Sequence, residues 1–212
     1  MITKFGKSIS NAKWSNDGKH IVFLAGGQMY TAGISHGKNG WALKKIRKIS
    51  DVPAGIGEFK LSPDQTKVMY ISYVKSNVKS PSDCYEDLDK AEAYTTDDLM
   101  YRHWDHTVME LPHTFIADFS AKAQLSITPE TSIDILAGEP ETYELPAEPF
   151  SGIEQLDWSP DGKYIAYSCR KLTGKKYAFS TNTEIYIYNV ENAKAAKIST
   201  AGGYDTDPVW SP

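Results

Sequence analysis

Short stretches of alternating apolar and polar residues recur along the chain, and each follows the same kind of polar turn. Three segments align: 12–23 (Ala-Lys-Trp-Ser-Asn-Asp-Gly-Lys-His-Ile-Val-Phe), 59–70 (Phe-Lys-Leu-Ser-Pro-Asp-Gln-Thr-Lys-Val-Met-Tyr) and 156–167 (Leu-Asp-Trp-Ser-Pro-Asp-Gly-Lys-Tyr-Ile-Ala-Tyr). A fourth copy, Pro208-Val209-Trp210-Ser211-Pro212, is cut short. An apolar residue closes one strand. Pro then presets φ, Asp bonds back to the backbone and Gly accepts a positive φ, and a second strand follows with period 2. The unit is a β-hairpin. Its second copy carries Gln65-Thr66 where Gly is expected, which predicts a turn wider by about one residue.

The leading apolar residues Trp14, Leu61, Trp158 and Trp210 are spaced by 47, 97 and 52. A period of roughly 40–50 residues with four strands per unit is the signature of propeller blades. Third and fourth strands are expected near 28–32 and 42–49, at 113–119 and 131–136, and at 183–190 and 195–199. Within 183–190, Ile185 and Ile187 alternate with Tyr186 and Tyr188. The spacing of 97 reads as one blade with an insert, because residues 76–112 show neither alternation nor the turn motif. There the pattern predicts a loop over 87–94 and a helix over 96–110. Thr96 serves as N-cap, and Leu99, Met100, His103, Trp104 and Thr107 share one side that packs the insert down. The expected fold is all-β: an incomplete β-propeller of about three blades (1–55, 56–150 with its insert, 151–206) and the first strand of another (207–212). The chain stops inside a turn, which reads as an excised piece of a longer protein. Three blades cannot close, and exposed sheet edges predict self-association.

Composition narrows this reading without changing it. Tyr, Phe and Trp make up 12 % of the 212 residues, and aromatic residues favour strands. A net charge of −4 disfavours a general nucleic-acid binder. The basic run Lys44-Lys45-Ile46-Arg47-Lys48 reads as a solvated strand face. No stretch approaches the ~18 apolar residues of a membrane span. The N-terminus has no apolar signal core, so the protein is cytoplasmic or has lost its signal. Cys84 and Cys169 stand far apart with no CxxC, which rules out a disulfide framework or a structural zinc site.

Candidate chemistry is sparse. Gly33-Ile34-Ser35-His36-Gly37 matches the nucleophile elbow G-x-S-x-G, but turn residues rather than a helix follow it. It reads as a loop between third and fourth strands. His103, Asp105, His106 and His113 suggest a metal site only superficially, since Asp105 points away from the shared face of His103 and His106; a structural role is favoured. Glu86, Asp87, Asp89, Glu92, Asp97 and Asp98 make the insert acidic. They form either a solvated surface or a site for a cationic group such as a peptide amino terminus. No cofactor fingerprint and no metal site is read.

The Trp-Ser-Pro-Asp-Gly-Lys units, taken with Asp97-Asp98-Leu99-Met100-Tyr101-Arg102-His103-Trp104-Asp105, resemble the propeller of bacterial prolyl-oligopeptidase-family serine peptidases of the dipeptidyl-peptidase and acylaminoacyl-peptidase type. Segments 152–160, 168–171, 180–186 and 203–208 add to the likeness, which covers essentially the whole chain. The turn motif alone is shared with other propellers, such as the TolB type. The resemblance implies a propeller that gates an α/β-hydrolase domain and helps select short peptides. That domain, with its Ser-Asp-His triad, is not in this sequence, so the piece is expected to be inactive alone. An exported, periplasmic location is implied only in the same way. If the insert touches peptide, the expected contacts are Glu92 and Asp105 on the α-amino group and Arg102 on a carbonyl or carboxylate. Arg102 equally has Asp98 and Asp105 as near structural partners. The alternatives are a stand-alone TolB-like protein-binding propeller and a glycan-active propeller enzyme, the latter lacking a clear carboxylate pair.

Overall fold

A computed structural model describes residues 6–38, 40–95, 107–123, 126–148 and 150–211. The described chain is mostly β, in three four-stranded antiparallel sheets, each a meander in chain order. The first holds β1 (Ile9–Trp14), β2 (His20–Ala25), β3 (Gln28–Gly37) and β4 (Gly40–Lys48). The second holds β5 (Phe59–Leu61), β6 (Lys67–Lys75), β7 (Glu110–Asp118) and β8 (Ser132–Asp134). The third holds β9 (Leu156–Trp158), β10 (Tyr164–Cys169), β11 (Glu184–Asn189) and β12 (Lys194–Lys197). No closed ring of sheets is formed by the described residues.

The recurrent turn is held the same way three times. Ser15, Ser62 and Ser159 each donate their backbone N–H to the residue that opens the next strand, at 2.9 Å in all three. Each serine hydroxyl accepts that strand residue's N–H, at 3.2, 3.0 and 2.9 Å. Asp17, Asp64 and Asp161 accept the N–H two residues on, at 2.9, 3.1 and 3.0 Å. This is the Asx turn that the Ser-x-Asp spacing dictates.

Contrary to the sequence expectation, the second turn is not wider. Gln65 stands at φ +55°, in the place taken by Gly18 at +63° and Gly162 at +70°. Its amide offsets the strain by bridging to the first turn: Oε1 accepts Asn16 N–H at 2.7 Å and Nε2 donates to the Trp14 carbonyl at 3.0 Å.

The sheets stack in chain order. Along β6, Val68 and Tyr70 pack with Val22, Leu24 and Met29 of the first sheet. Met69, between them, packs with Ile165, Tyr167 and Tyr186 of the third. Period-2 alternation thus sends successive β6 residues into two cores, and both faces of the second sheet are buried. In β11 the tyrosines 186 and 188 take the buried face and Ile185 and Ile187 the less buried one. The indole of Trp158 donates to the Lys60 carbonyl of the second sheet at 3.4 Å, and that of Trp210 to the Asp157 carbonyl of the third at 3.1 Å.

Other expectations are corrected. β3 and β4 run further than expected, so Gly33–Gly37 lies on a strand, not in a loop; His36 packs on Trp41 across the pair at 4.7 Å between centroids. Ser35 donates only weakly to the Ala42 carbonyl, at 3.5 Å. The loop over 87–94 is present, preceded by the short α1 (Pro81–Cys84). The expected helix over 96–110 lies largely outside the described residues, but its last part does not continue: 107–109 are non-helical and Glu110 opens β7, where pairing with Lys75 wins over helix extension. A helix in the third unit, α2 (Gly174–Phe179), was not expected. Residues 208–211 form no strand; they lie against β9 through Trp210.

Candidate functional site

The connection between second and third strands differs sharply among the sheets. It is the glycine pair Gly26-Gly27 in the first, residues 76–109 in the second, and residues 170–183 with α2 in the third. The segment 139–155, which crosses from β8 to β9, meets the third sheet's connection through Lys171–Glu139 and Tyr177–Glu144, and meets the strand ends that carry the insert through Tyr73–Glu148 and the Leu145 N–H on the Pro112 carbonyl. This end of the second and third sheets is the candidate site.

Anchors fix the insert at its base. Ser76 takes the Met109 carbonyl through its N–H at 2.9 Å and the Val108 carbonyl through its hydroxyl at 2.8 Å. Further out, Lys79 and Thr95 exchange backbone bonds of 2.8 and 2.7 Å. Lys75 pairs with Asp83 at 2.6 Å at the start of α1. Glu92 is exposed on the coil closed by the Lys79–Thr95 bridge. Arg102 and Asp105 of the expected trio lie outside the described residues, as do His103, Trp104 and His106.

Three glutamates that the sequence reading passed over gather at this end. Glu144, only 2 % exposed, accepts the hydroxyl of Tyr177 from α2. Glu148 accepts the hydroxyl of Tyr73 from β6. Glu139 pairs with Lys171, whose ammonium also sits 4.1 Å from the centroid of Tyr186. Arg170 stacks over Tyr177 at 4.8 Å. The signal for Glu144 was its setting, Thr-Tyr-Glu-Leu-Pro: an acid amid apolar residues needs a partner once buried. Burial first, and then the neighbouring carboxylates, pushes the Tyr73 and Tyr177 phenols above their ordinary range, so both stay protonated as donors.

The site contains groups that bind and position. Cys169 is fully buried and its thiol is pushed up to about 12 by desolvation, which leaves almost no thiolate. Its Sγ donates to the Glu144 carbonyl at 3.4 Å. His113, expected to be structural, bonds Asp134 through Nδ1 at 2.7 Å, and its Nε2 is buried without a hydrogen-bond partner. Among the described residues no group of three or more His, Cys, Asp and Glu is placed to hold a metal. No helix of the described residues is long and apolar enough to cross a membrane.

Known proteins similar to this chain include peptidases. No family model matches the chain. Dipeptidyl-peptidase 5 of Porphyromonas gingivalis is 42 % identical over 202 residues, 94 % of this chain and 28 % of that protein. Dipeptidyl-peptidase 5 of Porphyromonas endodontalis is 34 % identical over 217 residues, 100 % of this chain and 29 % of that protein. The chain thus spans less than a third of the length of these relatives. The solved acylaminoacyl peptidase of Pyrococcus horikoshii superposes with a TM-score of 0.48 at 15 % identity, over 90 % of this chain and 25 % of that one.

Proposed function

We propose that the chain is part of the non-catalytic propeller of a dipeptidyl-peptidase-type serine peptidase, where it gates access and helps select short peptides. The observation that carries this reading is the 42 % identity to a dipeptidyl-peptidase 5 across nearly the whole chain. The three stacked meanders are its blades, and the α/β-hydrolase domain that performs acyl transfer lies in the remaining length such relatives have. In this reading the end bearing the insert faces the substrate. Glu92 and Asp105 take the peptide's α-ammonium, and Arg102 takes a carbonyl or carboxylate. The Tyr177–Glu144 and Tyr73–Glu148 bonds fasten the insert-bearing end to the segment 139–155.

Kinetics on the full-length enzyme with chromogenic dipeptide substrates test this. Glu92→Gln and Asp105→Asn should each raise KM about tenfold, the loss of one charge-assisted contact, with kcat little changed. Deleting residues 76–109 should abolish dipeptide release while the hydrolase domain still turns over a small activated ester. Unaltered dipeptide kinetics in all three variants would remove the insert from substrate selection. No dipeptide release by the unmodified enzyme would remove the reading itself.

A further inference from the structure

The basic run in β4, read from the sequence as a solvated face, builds something more specific. Thr31 pairs with Arg47 and Gly33 with Lys44, so Lys45 and Ile46 together oppose the single residue Ala32. This is a two-against-one bulge, and Lys45 at its centre stands at φ +51°, a conformation that non-glycine residues adopt at a cost. A bulge re-aims side chains that strict alternation would send to opposite faces. Here Lys44, Lys45 and Arg47 all line one open cavity of about 530 Å³, closed on its other side by His20 and by Lys122 of the segment following β7.

The charge in this cavity is not balanced. Arg47 is pinned by neutral acceptors: Nη1 donates to the Lys122 carbonyl at 3.1 Å and Nη2 to the Ala121 carbonyl at 3.2 Å, with Thr31 Oγ1 also on Ala121 O at 3.3 Å. Its Nε is buried and has no hydrogen-bond partner. Asp17 is the nearby acid, and it is already shared by Lys122 and His20, at 3.0 Å each, and by the turn that contains it. Among the described residues no carboxylate pairs with Lys44, Lys45 or Arg47. Four permanent cations around one cavity, in a chain whose net charge is −4, form a local field opposite to that of the whole molecule. A guanidinium fixed by two carbonyls, with a second N–H left on each Nη, is a group suited to reading oxyanions.

We propose that this cavity is a binding site for a small multivalent oxyanion, with Arg47 as the fixed anchor and Lys44, Lys45 and Lys122 closing on the charge. It is separate from the insert-bearing end and does not depend on the peptidase reading. Calorimetric titration of the protein with inorganic pyrophosphate tests it, with citrate as a second probe. Pyrophosphate should bind one-to-one and weaken steeply from low to physiological salt. Lys44→Ala and Lys122→Ala, both at exposed positions, should each lower affinity about fivefold or more, the effect of one lost charge-assisted contact. Arg47→Lys, which keeps the charge but not the fork, should weaken binding as well. Lys194→Ala on β12 should leave it unchanged. Competition by citrate at the same site assigns it to oxyanions in general, and its failure to compete assigns it to phosphoryl groups. Absence of saturable binding, or equal losses from Lys44→Ala and Lys194→Ala, would overturn the site.

Discussion

Asp17, Asp64 and Asp161 sit at the same point of three turns, and each carboxyl is held below its ordinary range. The serine two residues earlier contributes most: Ser15, Ser62 and Ser159 donate their hydroxyls to the three aspartates, and the backbone N–H two residues later adds to each. Such bonds favour the ionised form. Because the folded carboxyl titrates below the unfolded one, each aspartate stabilises the fold above the unfolded value, about pH 4. That contribution is lost as pH falls from there toward the folded value. All three are solvent-screened, so the effect rests on their number and shared geometry rather than on any one of them. Thermal unfolding measured as the pH falls should show the native protein losing stability below about pH 4. A variant with Asn at all three positions should start less stable at neutral pH and show a flatter acid limb. Parallel curves for the two proteins would mean that these carboxyls do not couple to folding.

At the scale of the element, the hairpin turn is set by the Ser-x-Asp spacing, and its fourth residue is where the copies diverge. Gln65 adopts the left-handed backbone of Gly18 and Gly162 and repays part of that strain through Asn16 and Trp14. Gln65→Ala keeps the strain and loses both bonds, so it should cost about 1–2 kcal/mol. Gln65→Gly loses the same bonds but regains about 1 kcal/mol from the relieved φ. Urea midpoints for the pair should therefore order native, Gly, Ala; equal midpoints for Gly and Ala would show that the left-handed φ costs nothing. This residue also marks the boundary of what the sequence makes legible. Hairpins, pairing order and the interrupting insert follow from local turn chemistry and period 2. The conformation of Gln65 depends on another turn 49 residues away, which no local pattern encodes. The same holds for α2, a short helix tied down by the bond from Tyr177 to Glu144 across 33 residues. It holds too for Glu139 and Glu148, whose partners Lys171 and Tyr73 lie 32 and 75 residues away. Glu92 is exposed, but so are Glu86, Asp87 and Asp89, so exposure does not single it out from the acidic run it belongs to. The bulge in β4 is not legible in the sequence, because a lysine at positive φ carries no signature of its own.

Across the whole molecule, the second sheet mediates between the other two, and β6 is the strand through which it does so. Val68 and Met69 are adjacent in sequence and both fully buried, but they belong to different cores. Val68 meets Val22 and Leu24 of the first sheet, whereas Met69 meets the Ile165 and Tyr167 side of the third. In stacked units that touch only their neighbours, a local defect is felt first across the interface it damages. Truncating either residue leaves a cavity, about 1.5–3 kcal/mol for the two carbons lost in Val68→Ala and about 2–5 kcal/mol for Met69→Ala. Native-state hydrogen exchange can tell which sheet absorbs the loss, because protection reports local opening. Val68→Ala should accelerate exchange in β2 and β3 and leave β10 and β11 near their native rates. Met69→Ala should do the reverse, with the larger effect. If both variants loosen all three sheets equally, the molecule opens as one cooperative body and the two cores are not energetically distinct. If each acts on its own side, the sheets behave as neighbours in a one-dimensional stack, and strain at the cavity between the first sheet and residues 121–122 reaches the third sheet only through the second.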